Sequence, residues 1–196
     1  MDEEAELPSR VVSAGFFHLR NVRRLCPFLP HDSLSILMHA FVSSRLDYCN
    51  ALFAGLPLNL IHCLQLVQNS AAHVVKNVSR FDHITPVLRE LHWLPVQWQI
   101  TFKVLVLVFK ALKGLWPEYL RNLLMPYVLA RPLRSLHGDL LAVSRMRSEV
   151  GEHSFSFHAA TSWNALPTDI RSSPSLSTFK SSLKTYFFSD LAFNIV

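Results

Sequence analysis

Glycine is scarce: five occur in 196 residues. None sits in the phosphate-cradling GxxxxGK[ST] or GxGxxG patterns or in the nucleophile turn GxSxG, and HExxH is also missing. Those gaps exclude P-loop, dinucleotide-binding, α/β-hydrolase and zincin chemistry, each of which needs its residues at fixed spacing. Paired carboxylates are lacking too. Ten acids follow the first nine residues, among them Asp32, Asp47, Asp82 and Glu90, and no two are adjacent. Two-metal polymerase or nuclease chemistry requires carboxylates converging on ions roughly 4 Å apart. No catalytic residue is assigned.

Cysteine is limited to Cys26, Cys49 and Cys63, an odd set without CxxC spacing. A reduced intracellular setting, nuclear or cytoplasmic, is the expectation. Ten histidines raise the question of zinc, which prefers four N or S ligands in short paired spacings. His62 and Cys63 point to different helix faces, so neither a metal nor a cofactor is expected. Long hydrophobic runs are missing as well. Val104 to Phe109 is six residues between Lys103 and Lys110, against the roughly 20 that a membrane span needs.

What the chain does have is apolar content. Half the residues are hydrophobic, fourteen are Phe, and charged residues are 17% against about 25% in ordinary soluble domains. Either a well-filled core or an apolar surface that docks on a protein partner accounts for this. The charge is uneven. Asp2, Glu3, Glu4 and Glu6 precede every Lys and Arg, leaving nineteen cations against ten anions from Arg10 onward. Such a balance suits a polyanionic partner, RNA or DNA, through phosphate neutralisation.

The expected fold is mainly α: a disordered acidic lead over 1–9, a helical bundle over 10–125, and a smaller part over 126–196 holding a short β-hairpin and closing helices, packed on the bundle. Val12, Phe16, Leu19, Val22 and Leu25 recur at helical spacing up to Pro27. Asp32 or Ser33 can cap a second helix reaching to Gly55. Leu60, Leu64, Val67, Ala71, Val74 and Val78 form a third apolar stripe, leaving Gln65, Gln68, Asn69 and Lys76 toward solvent or a ligand. Thr85-Pro86 caps and opens a short helix, and Pro95 opens one that stops at Gly114. Its VLVLVF centre fits a buried helix or a buried strand. Pro117 starts another short helix. Pro126, Pro132 and Gly138 then break the pattern, with Leu140 to Val143 as the strand candidate, before helices from Ser154 to Ala165 and after Ser173-Pro174.

Basic residues form the one constellation with chemical meaning. The candidate nucleic-acid contacts are Arg20, Arg23, Arg24, Lys76, Arg80, Arg131, Arg134, Arg145, Arg147, Lys180 and Lys184. Phosphate recognition needs such donors on one surface, with aromatic rings where single-stranded bases stack. Trp93, Trp98, Trp116 and Trp163 are the tryptophans, and at helical spacing they serve equally as core. Asp47, in Leu46-Asp47-Tyr48, is a lone carboxylate within a helical pattern and reads as a surface or capping acid.

Several segments have a more specific texture: AGFFHLRNVRRLCPFLP, HAFVSSRLDYCNALFAGLP, LQLVQNSAAHVV, FDHITPVLRELHWLPVQWQITFKVLVLVFKALKGLWPEYL, RPLRS and SWNALPTDIRSSPSLSTFKSSLKTYFF. In succession they resemble the C-terminal portion of the reverse transcriptase polyprotein of non-LTR (LINE) retrotransposons of the jockey-like group, over about Ala14 to Phe193. The resemblance implies a region that follows the fingers and the aspartate-bearing palm, with the endonuclease further upstream. It implies a polymerase piece without a polymerase site, one that helps hold template RNA or target DNA. It transfers no residue role. Two expectations follow: a non-catalytic nucleic-acid-binding module, or a helical protein-interaction or relic domain with no activity of its own.

Overall fold

The computed structural model describes residues 2–48, 50–127, 140–144 and 154–191. Cys49, Arg131, Arg134, Arg145, Arg147 and the Pro132 and Gly138 breaks lie outside the described residues. Among the described residues the secondary structure is helical, with no strand.

Helix α1 spans Asp2–Leu25 and carries Pro8 inside it. Residues 2–9, expected as a disordered lead, are therefore part of the first helix. Pro27 stops α1 through a 3₁₀ turn, Cys26–Phe28. Helix α2, His31–Met38, starts at Pro30 with no side-chain cap, so neither Asp32 nor Ser33 plays the capping role. Asp32 lies in its first turn instead.

The second helix does not run unbroken toward Gly55. It widens into a π turn at His39–Ser43, where Ser44 Oγ donates 2.5 Å to the Ala40 carbonyl. Helix α3, Ser44–Asp47, follows and ends at extended Tyr48, ahead of a 3₁₀ turn at Asn50–Phe53.

Helix α4, Leu58–Lys76, is a second long element of the bundle, and it closes at Asn77 in the left-handed conformation. It lies beside α1, running in the same direction, with Gly15 facing Val67 early in the contact and the Arg23 turn beside Val74 later. A Cβ at Gly15 would stand 2.7 Å from Val67 Cγ1. Val67 is fully buried and β-branched, so its methyl cannot swing away cheaply.

Gln65 and Gln68 correct the solvent-facing assignment: both are buried, Gln68 to 3% exposure. Helix α5, Ile84–Glu90, begins after His83 rather than at a Thr85 cap. It ends with Trp93 N–H donating to the Leu88 carbonyl at 2.9 Å around a left-handed His92. The glutamines hold the next helix, α6, Val96–Leu112. Val96 N–H donates to Gln65 Oε1 at 2.7 Å, and Gln68 Nε2 donates to the Leu94 carbonyl at 2.9 Å. Gln99 Nε2 donates to the same carbonyl at 2.7 Å, filling its second lone pair. Gln65 Nε2 donates onward to Gln68 Oε1 and Asn69 Oδ1. A helix start buried beside Pro95 would otherwise leave orphan backbone groups; here side chains from α4 satisfy them.

The VLVLVF segment is helical, and all of it except half-buried Leu107 is buried. Helix α7, Glu118–Asn122, follows Pro117.

Among the described residues the expected hairpin reduces to one antiparallel bridge, Pro126 with Leu141. Proline has no N–H to extend a ladder. On the other side Leu141 is taken by a side chain: its N–H donates to Asn164 Oδ1 at 2.9 Å, and its carbonyl accepts from Asn164 Nδ2 at 2.8 Å. Asn164 thus stands where a neighbouring strand would.

Helix α8, Phe155–Asn164, is capped by Ser154. A short α9, Thr168–Arg171, not expected from the sequence, follows Pro167. Helix α10, Leu176–Tyr186, is capped by Ser175. These closing helices, with the π turn Phe187–Leu191 after α10, bury Trp163, Phe179, Leu183 and Phe187 in the same core as α6. Phe179 stacks on Phe109 at 4.4 Å, and Phe187 lies 4.9 Å from Trp98.

Candidate nucleic-acid interface

Arg20 and Arg23 stand one turn apart near the end of α1, and both are exposed. Because α1 and α4 run in the same direction, the end of α4 lies beside them. The two helices leave a groove of about 460 Å³. Leu19, Val74 and Val78 contribute apolar surface to it, while Arg20, Arg23, His73 and Arg80 bring basic groups. No carboxylate lines it.

Arg80 is placed by a tight turn. Asp82 N–H donates to the Ser79 carbonyl at 3.0 Å, while Asp82 Oδ2 accepts from Ser79 N–H at 2.8 Å. Asp82 therefore closes the turn that carries Arg80 and Phe81 at its tip. The Arg80 guanidinium lies 4.7 Å from the centre of the Phe81 ring, which is 82% exposed. An exposed ring next to a guanidinium is what an unstacked base can lie against.

Two helix C-termini meet at this end, each equivalent to about half a negative charge. Arg23, Arg24, His73 and Lys76 lie in the last turns and offset them. Arg20 and Arg80 stand outside those last turns and keep the groove basic. The helix ends weaken anion binding there without reversing it.

The other candidates separate from this groove. Lys76 is engaged by Glu90, with its side chain 22% exposed. Lys180 and Lys184 stand on α10, and Lys184 borders a different cavity. His73, Asn77 and Phe81 were not among the sequence candidates. Phe81 was accessible in principle, as the ring next to Arg80.

Asp47 takes a structural role. Both its oxygens accept from Lys103 Nζ, at 3.0 and 3.2 Å, and Oδ1 also accepts from Asn50 Nδ2. It ties α3 to α6. Among the described residues no three His, Cys, Asp or Glu side chains group as metal ligands, and no helix is long and apolar enough to cross a membrane. No protein-family model, curated protein or solved structure matches the chain.

Proposed function

We propose that the chain is a non-catalytic nucleic-acid-binding module, derived from the reverse transcriptase of a LINE-type element, whose segments its sequence resembles. The observation that carries this reading is the acid-free groove, where Arg20 and Arg23 from one helix meet Arg80 from a turn almost sixty positions later. The guanidiniums take phosphates, and Phe81 offers a face for a base. Single-stranded RNA is the favoured ligand, since an exposed ring has no use for a base already stacked in a duplex.

The test is binding of labelled single-stranded RNA and duplex DNA by the full chain at several salt concentrations. The expected result is measurable affinity at low salt that falls as salt rises. The double variant Arg20→Glu, Arg23→Glu should lose at least tenfold and flatten the salt slope by about 1 to 2. Primer extension with Mg²⁺ should yield no product. Absence of low-salt binding, or binding indifferent to salt, defeats the proposal.

A second reading is a helical domain that docks on protein. It rests on exposed Phe28, Tyr48, Leu52 and Leu58, whose rings and side chains stay largely in water. Failure of RNA binding together with self-association at low salt would favour it.

A further inference from the structure

A separate cavity of about 820 Å³ is bordered by the π turn, the His92 to Leu94 turn, α6 and the end of α10. That size falls within the range of small-molecule sites. Three of its lining side chains are aromatic, and each is accompanied by a basic group that also lines the cavity. The His39 ring meets Trp93 edge to face at 5.4 Å. The Lys184 ammonium lies 6.0 Å from the centre of the Phe102 ring. The His92 ring meets Phe188 edge to face at 6.1 Å.

The one carboxylate in the lining, Asp47, already has its oxygens on Lys103. It therefore offers little repulsion to an anion. His92 adds a second observation. Its φ of 54° is a left-handed position that glycine usually fills after a helix. A side chain with a Cβ is strained there, and this one lines the cavity.

We infer that this cavity is a binding site for a single unstacked nucleotide, its base against Trp93, Phe102 and Phe188 and its phosphate among Lys184, His39 and His92. Aromatic walls alone would suit any apolar ring, and basic groups alone any anion. Their pairing selects a ligand that carries both, joined at short distance. The nucleotide can be free or a residue of a strand. The site stands on its own lining and does not depend on the α1/α4 groove.

The experiment is calorimetric titration of the full chain with 5′-AMP, 5′-UMP and ribose 5-phosphate, repeated on Lys184→Glu and Thr185→Phe. Both substitutions are at exposed positions of α10, and unchanged urea midpoints confirm that the variants fold. AMP or UMP should bind in the micromolar to millimolar range, with ribose 5-phosphate at least tenfold weaker for want of a base. Each variant should weaken AMP at least fivefold. Competition of AMP against labelled single-stranded RNA distinguishes the sources: displacement marks a strand residue, and AMP binding without displacement marks a free nucleotide. Absence of AMP and UMP binding at several millimolar, or binding equal in wild type and both variants, overturns the inference.

Discussion

Gln65 shows how much one side chain can decide. Its amide oxygen is the partner of a buried backbone N–H at the first residue of α6. Gln65→Leu keeps the bulk and removes the acceptor, leaving Val96 N–H buried and unpaired. The expected cost is about 1–3 kcal/mol, read as a lower urea midpoint at unchanged m-value. The sequence shows a polar residue beside an apolar stripe, and polarity at that spacing reads as exposure. Its partner lies 31 residues away, beyond the reach of any local pattern. Asp47 is similar: its isolation among the acids argued against metal chemistry, yet only the approach of α6 discloses Lys103 as its counter-ion.

At the scale of elements, the helices whose ends are marked by proline or glycine were legible. Pro95 and Pro117 each stand at an N-cap, and Gly114 follows α6 at a φ of 68°. Proline has no N–H to lose at such a place, which makes the signal local. The reduction of the expected hairpin to a single bridge among the described residues was not legible, because the competitor for Leu141 is the amide of Asn164, supplied by another element. Helix α10 and the turn that follows it attach through Phe179, Leu183 and Phe187, all essentially without solvent exposure. Phe179→Ala removes the ring stacked on Phe109 and should cost about 3–5 kcal/mol. Accelerated amide hydrogen exchange across 176–186, exceeding any change in α4, would show that α10 is the element released.

Over the whole molecule, the bundle and the closing helices share one core rather than two. A fragment ending at residue 127 keeps α1 to α7 but bares the α6 face that Trp163 and Phe179 cover. It should lose cooperative unfolding and bind a hydrophobic dye, as a chain with secondary structure but incomplete packing does. A sharp transition at the full-length midpoint would instead establish the first 127 residues as a self-sufficient unit. The basic groove also belongs to this scale. Arg20 and Arg80 were legible as candidates; their meeting was not, because it depends on α1 and α4 running in the same direction at close range.

That close range rests on Gly15. Every amino acid reachable from a glycine codon by a single base change carries a Cβ, and a Cβ here meets the buried Val67 methyl at 2.7 Å. In genetic terms the position has no gentle neighbour. Silent third-base changes aside, the first step away from glycine forces the two helices to shift, and the spacing of Arg20 and Arg23 from Arg80 shifts with them.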